Sequence, residues 1–425
     1  MSALSGWTEL DDRAVAYARA LSADAVQKVG NGHPGTAMSL APVAYSLFQR
    51  HLVHDPADPQ WLGRDRFILS CGHSSLTLYI QLFLSGYGLE MKDLQSFRTW
   101  GSLTPGHPEY GHTAGVEMTT GPLGQGVATA VGMAMAARYE RGLLDPTAPA
   151  NTSLFDHSIW VICSDGDLQE GVSAEASSLA GTQELGNLNI IYDDNRISIE
   201  GDTHNAFTEN VTARYRAYGW HVIEVAALAT GNIDLVALDA AMVAAKKETS
   251  KPSLIRMHSV IAWPAPKAQG TAGSHGSALG VDEIKATKIA LGLNPEEDFA
   301  MPAEVLAHAR LVKDRGAAVR ATWDTKFATW KSANPDKAAL LERLHVKGLP
   351  AGWDADIPVF APDKEVATRA ASGEVINAIA AKLPEFWGGS ADLAGSNNTS
   401  IKGSGSFLPT SSAIPNADPF GRIIH

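Results

Sequence analysis

The chain has 425 residues, 45% of them hydrophobic, which is long for one ordinary domain and apolar enough to bury two sizeable cores. A formal net charge of −12 excludes the basic face that nucleic acid or an anionic membrane requires for counterion release. Only two cysteines, Cys71 and Cys163, are present, each in an apolar neighbourhood rather than in a CxxC pair, so neither a disulfide framework nor a zinc site is indicated. The N-terminus lacks a basic start and an apolar core, and no stretch approaches the eighteen or so apolar residues of a membrane span. A soluble protein of a reducing cytoplasm is expected.

Along residues 11–27 the apolar positions recur at helical spacing (Ala14, Ala18, Leu21, Ala25), and the helix must end where Gly30-Asn31-Gly32 turns the chain. A second helix is predicted over 39–50. Residues 66–70 read as a short buried strand, Gly72 punctuates, and 74–86 turn helical. Further units follow: helix 124–141, apolar strand 159–163, helix 172–185, apolar strand 188–192, strand 220–225, helix 233–248 and strand 253–257. Strand, glycine, helix is the unit of a parallel α/β sheet, and strands this apolar need both faces covered, so a doubly wound parallel sheet is expected. From 262 to 280 the composition shifts to Pro, Gly, Ser and Lys, the mark of a long functional loop. Charged helical segments are predicted over 282–345. The expected division is a domain over 1–345, a Pro-rich linker over 346–363, and the opening of a second α/β domain over 364–425. That second part reads as helix 364–382, strand 385–388 and a Gly/Ser/Asn-rich tail.

The strongest chemical signal is Ser164-Asp165-Gly166-Asp167-Leu168-Gln169-Glu170-Gly171, followed 30 residues after Asp165 by Asn195. Asp165 and Asn195 each stand at the carboxyl end of a predicted apolar strand. Right-handed crossovers make such strands parallel, and open α/β sheets bind ligands at their carboxyl ends. A carboxylate, a carboxamide oxygen and the backbone carbonyl of Ile197 are therefore expected to converge on one hard cation, Mg²⁺ or Ca²⁺. Gly166 lets a diphosphate approach the backbone at the start of the next helix. Taken alone, Asp165-Gly166 would be a plain turn and Asn195 a plain cap; the strand context favours a metal and diphosphate site.

With Gly32-His33-Pro34-Gly35, Gly72-His73, the run from Thr104 to Glu109, the run from Thr120 to Gly126, Ser274-His275-Gly276, Ala367-Thr368-Arg369 and the run from Gly389 to Leu393, the sequence resembles transketolases along essentially its whole length. The resemblance implies thiamine diphosphate as cofactor and transfer of a two-carbon ketol unit from a ketose phosphate to an aldose phosphate, as in the pentose phosphate pathway, by a homodimer. It implies that His73 contacts the cofactor diphosphate, that Gly121, Pro122 and Leu123 pack on its aminopyrimidine, that Gly166 touches the diphosphate, and that Asp165, Asn195 and the Ile197 carbonyl hold the metal. Glu170 would join an acidic network at the subunit interface. His33, His107 and His275 would be the catalytic histidines facing the sugar, with Asn195 and His275 also touching the cofactor. Arg369, Ser396 and His275 would grip the sugar phosphate, and Asp392 would bind substrate hydroxyls.

An isolated histidine is more often structural than catalytic, and His51, His54, His157, His204 and His221 are read that way. Two departures from the family pattern leave every ligand in place: Ser164 stands where glycine is common, and Cys71 where a small polar residue is usual. The chain stops at His425, before a Gly-x-Arg-Glu segment whose glutamate serves the aminopyrimidine. It is therefore expected to hold mostly the diphosphate half of a site shared between subunits. Alternatives are a truncated or split chain that binds cofactor but needs a separate C-terminal polypeptide, a non-catalytic binding chain, or a related enzyme such as a dihydroxyacetone synthase, a phosphoketolase or a deoxyxylulose-phosphate synthase.

Overall fold

Five apolar runs become the strands of one all-parallel sheet: β1 (Arg66–Leu69), β2 (Ile159–Ser164), β3 (Leu188–Asp194), β4 (His221–Val225) and β5 (Ser253–His258), in the spatial order β1-β2-β3-β5-β4. The computed structural model describes residues 4–149 and 151–425. Every residue of β2 and β3 is buried, the requirement of central parallel strands with helices on both faces. Edge strand β4 is mostly half-exposed. Pairing of Ser164 with Asp193 brings the carboxyl ends of β2 and β3 level, so that the residues just beyond them are neighbours.

Contacts divide the chain into two compact units. The first holds residues up to Ala134, His157–Gly181 and Leu185–Ala321; the second holds Met135–Asp156, Thr182–Glu184 and Thr322–His425. In the first unit, sheet residues Trp160, Ile162, Ile191, Ile255 and Met257 share a core with Leu40, Val43, Tyr45 and Phe48. The opening helix runs over Glu9–Val29, longer than predicted because Thr8 and Asp11 form a capping box ahead of it and Gly30, at φ 79°, closes it. A second helix, Pro34–Ser46, starts five residues before its predicted position, since Pro34 at the first turn is a start signal rather than a breaker. It continues as a π-helix over Leu47–His51. Helix Val211–Ala217 is too short to show a period, and the sequence reading missed it. Among the described residues no helix is long and apolar enough to cross a membrane. Cys71 and Cys163 are buried free thiols.

His54 shows what burial does to an imidazole here. Its Nε2 faces the Phe48 carbonyl oxygen at 2.9 Å and so carries the proton, which leaves Nδ1 to accept from the Tyr87 hydroxyl at 2.7 Å. Burial, with the Arg315 charge opposing a second proton, pulls the ring from 6.5 to about 4. Between those values the unfolded chain binds a proton that the folded chain refuses. The stability His54 contributes is therefore complete above pH 6.5 and lost as pH falls towards 4, about 3 kcal/mol for this one group. Urea midpoints at pH 7 and pH 5 should differ accordingly, and His54→Gln should shrink the difference. An unchanged pH dependence in the variant would contradict this.

In the second unit, helix Thr368–Lys382 packs with a four-stranded parallel sheet of two-residue strands: β6 (Gly388–Gly389), β7 (Ser406–Phe407), β8 (Ala417–Asp418) and β9 (Ile423–Ile424), ordered β6-β9-β7-β8. The strand expected over 385–388 thus lies at Gly388–Gly389, and the tail that reads as polar loop supplies the other three. Arg422 ties them to the helix end: its guanidinium donates to the carbonyls of Ala380, Leu383 and Phe386 at 2.7 to 3.0 Å, which serves carbonyls at the helix end that lack helical partners. Stacked Tyr139 and Trp387 rings, with centroids 4.6 Å apart, and Phe407 form its aromatic centre.

Candidate functional site

Beyond β2, Ser164 caps a short helix, Asp165–Gln169, and the carboxylate of Asp167 turns back beneath it. Asp167 is fully buried and accepts from the Ser164 amide at 2.9 Å, the Ser70 hydroxyl at 2.7 Å and the Gly124 amide at 2.9 Å. Ser70 in turn accepts from the Val127 amide at 3.1 Å. One carboxylate thereby ties together the loop after β1, the loop that opens helix Gln125–Leu144 and the loop after β2. Sequence reasoning passed over Asp167, although Ser164 three residues ahead of it is a capping-box signal.

Asp165 is 4% exposed and Asn195 8%, and they occupy the adjoining carboxyl ends of β2 and β3. Asp165 Oδ1 accepts from the Tyr192 hydroxyl at 2.6 Å and Oδ2 from the Arg196 amide at 3.1 Å. Asn195 donates through Nδ2 to Asp193 at 2.8 Å and accepts the Ile197 amide on Oδ1 at 2.9 Å. Each of these oxygens keeps a lone pair. Burial first, then the negative charges of Asp193 and Asp194, push the Asp165 carboxyl up to about 7, against the hydrogen bonds from Tyr192 and Arg196. Burial likewise lifts Asp193 to about 6. Arg256 pairs with Asp194 at the side, but among the described residues no cation pairs with Asp165. A dehydrated, electronegative corner with carboxylate, carboxamide and backbone oxygens fits a hard divalent ion. Among the described residues no group of three His, Cys, Asp or Glu is placed to hold a metal, so such an ion would need further oxygens from its ligand and from water.

The glycine motifs bring the remaining pieces together. A side-chain carbon at Gly166 would lie 2.7 Å from Leu123, one at Gly72 would lie 2.7 Å from the Gly121 amide, and one at Gly121 would lie 3.2 Å from the His107 ring. At Gly72 the neighbour is backbone, so only a residue without a Cβ permits the approach, and at Gly121 the φ of 150° favours glycine as well. Pro122 and Glu170 are exposed at the rim.

Three imidazoles gather beside this cradle. Ring centroids are 5.1 Å apart for His33 and His73, 5.6 Å for His33 and His275, and 5.1 Å for His73 and His275. Burial, with the His275, Arg98 and His107 charges, brings His33 down to about 4. Burial also holds His73 well below its ordinary value and lowers His107 and His275, with Arg98 adding to the effect at His107. All four rings are therefore neutral near pH 7, each able to donate once and accept once. His33 Nδ1, His73 Nε2, His275 Nδ1 and the Thr120 hydroxyl are buried without a hydrogen-bond partner among the described residues. Buried polar atoms of this kind are normally satisfied, so these await the polar atoms of a ligand. Arg98, close against Gly106 and Gly32, is a cation at this site that sequence reasoning did not single out. By contrast His51, His54, His204 and His221 are engaged by Asp239, Tyr87, Asp202 and Ser253.

In the second unit, Arg369 is the second residue of helix Thr368–Lys382, Asp392 forms an isolated bridge with Ser390, and Ser396 lies in the short helix Ala394–Asn397. All three are exposed.

Residues 10–350 match the family model described as transketolase, thiamine diphosphate binding domain. A transketolase of Mycobacterium leprae is 58% identical over 422 residues, covering 99% of this chain and 60% of the relative. One from Geobacillus stearothermophilus is 49% identical over 403 residues, covering 95% and 59%. A crystal structure of a Pichia stipitis transketolase in complex with sedoheptulose-7-phosphate superposes with a TM-score of 0.92 at 44% identity, over 98% of this chain and 60% of that one. The Leishmania mexicana transketolase gives 0.90 at 38% identity, with the same coverage. The chain thus spans about 60% of the length of these relatives. On the family match and on the sheet whose strand ends gather these motifs, the chain belongs to the transketolase family.

Proposed function

We propose that this chain carries the diphosphate and metal half of a ketol-transfer site, moving a two-carbon unit from a ketose phosphate to an aldose phosphate in the cytoplasmic pentose phosphate pathway, as a homodimer. The observation that carries the reading is the meeting of neutral His33, His73 and His275 with the glycine cradle that leads to Asp165. Bound thiamine diphosphate supplies a carbanion equivalent that water and side chains cannot. Asp165, Asn195 and the Ile197 carbonyl would hold Mg²⁺ or Ca²⁺ for the diphosphate, Gly166 would leave room for it, and His73 would donate to it. Gly121, Pro122 and Leu123 back the aminopyrimidine, and Glu170 joins the acidic network between subunits.

The protein's own chemistry is hydrogen bonding and proton movement. A neutral imidazole can receive a hydroxyl proton and return it, so His33, His107 and His275 orient the ketose hydroxyls and carry protons to and from its oxygens. A sugar phosphate is the ligand in the Pichia stipitis complex, and the same class suits Arg369, Ser396 and His275 here, with Asp392 on the hydroxyls. In our reading the functional division follows the sequence, with diphosphate and metal binding in 1–345 and the opening of a pyrimidine-binding domain in 364–425.

In the active enzyme, His275→Ala and Arg369→Ala should each raise the KM for a phosphorylated ketose by about 10-fold to 100-fold, the value of a hydrogen bond to a charged group. Cofactor affinity should stay within about twofold. Loss of cofactor affinity in place of the KM effect would reassign both residues.

A further inference from the structure

The loop that carries His275 leans on a buried cation that among the described residues meets no carboxylate. Arg19 is 4% exposed; its Nε donates to the Met38 carbonyl at 3.1 Å, its Nη2 to Asn232 Oδ1 at 2.8 Å, and its guanidinium lies 4.3 Å over the Trp263 ring. Burial brings the group down to about 9, the mark of a charge kept from water. So costly an arrangement calls for a local reason.

Part of the reason lies in the sequence of helix Pro34–Ser46. Pro42 sits inside it and has no N–H, so the Met38 carbonyl four residues earlier loses its helical donor. Arg19 supplies that donor from the neighbouring helix. The same guanidinium then stacks on Trp263, whose indole N–H is fixed on the Thr230 carbonyl at 2.8 Å. Beside Trp263, the Ala262 amide donates to the Gly35 carbonyl at 3.0 Å, and Gly35 lies so close to the Ser274 carbonyl that a Cβ would stand 2.5 Å from it. The apolar support is a small cluster of its own that includes Ala23, Met38, Ala262 and Ala265. Arg19 therefore bridges the helix that begins after His33 and the loop that presents His275.

We propose that Arg19 is a positioning residue: through the Met38 carbonyl and Trp263 it holds the 262–280 loop against helix Pro34–Ser46 and so keeps His275 beside His33 and His73. The inference rests on the proposed sugar-facing role of His275.

Three variants of the active enzyme test it: Arg19→Met, Pro42→Ala and the pair together. Arg19→Met should lower the melting temperature and raise the KM for ketose phosphate about tenfold or more, because small misplacements of a binding group are expensive. Thiamine diphosphate affinity in Mg²⁺ should stay within about twofold, since the Asp165 corner is untouched. Adding Pro42→Ala returns a backbone donor to Met38, so the double variant should recover the melting temperature yet keep the raised KM, as Trp263 still lacks its cation. Trypsin should cut after exposed Lys267 faster in both Arg19 variants than in the wild type. Should Arg19→Met not fold, Arg19→Gln, which can donate but brings no cation to Trp263, should show the same raised KM and faster cleavage. Recovery of KM together with stability in the double variant would overturn the proposal, as would wild-type cleavage after Lys267. A wild type that stays inactive when a separate C-terminal polypeptide is supplied would sink the ketol-transfer reading, while the cleavage rates would still decide Arg19.

Discussion

Replacing Asp167 by alanine should weaken thiamine diphosphate binding by about 10-fold to 100-fold, the usual cost of losing a supporting residue behind a metal site, although Asp167 is placed to touch neither metal nor diphosphate. Its carboxylate receives the Ser164 amide, the Ser70 hydroxyl and the Gly124 amide, and so sets the relative positions of the loops that bear His73, Gly121 and Asp165. Without it two buried amides lose their acceptor. Hydrogen bonds to a charged group are worth roughly 1.5–3 kcal/mol each and are not additive in a shared network, so a net loss of about 3 kcal/mol is expected. Asp167→Asn makes the sharper test. It keeps the shape but turns one acceptor into a donor that must face the amide of Ser164 or Gly124. Calorimetric affinity and melting temperature should fall together in both variants; unchanged affinity with lowered stability would show that the three loops hold their places without Asp167.

Asp165→Ala should have the larger effect on binding and the smaller one on stability. A carboxylate that is 4% exposed, next to Asp193 and Asp194, is costly to bury and is justified by the cation it meets. Its loss should reduce metal-dependent cofactor affinity by more than about 100-fold, beyond what outer positions cost. The melting temperature of the cofactor-free protein should not fall, because a buried like-charge contact disappears with it. Tyr192→Phe, which removes only the hydroxyl donor at 2.6 Å, should give a loss of about tenfold. A cofactor-free Asp165→Ala protein that unfolds readily would mean that Asp165 is a structural cap.

How far these residues could be read from the chain depends on the range of the forces that place them. Strands β2 and β3 announce themselves through the apolar runs Ile159–Cys163 and Ile190–Tyr192, and Asp165 and Asn195 follow because they come directly after the last strand residues. The histidine loops were legible through their Gly and Pro neighbours. Asp167 and Arg19 were not, since a buried polar residue is defined by partners far along the chain: Ser70 and Gly124 for one, Asn232 and Trp263 for the other. Arg19 reads as one more charged residue on a helix until the donor missing at Pro42 is matched to it. The two-residue strands of the second unit carry no period at all, and their pairing is set by Arg422 and by the aromatic cluster around Trp387.

The most direct test of the account is calorimetric titration of the wild-type chain with thiamine diphosphate, in Mg²⁺ and again in a chelator. If Asp165, Asn195 and the Ile197 carbonyl bind the diphosphate through a shared cation, heat of binding appears with metal and vanishes without it, and Ca²⁺ restores it. Equal binding in metal and in chelator would contradict the metal-bridged site.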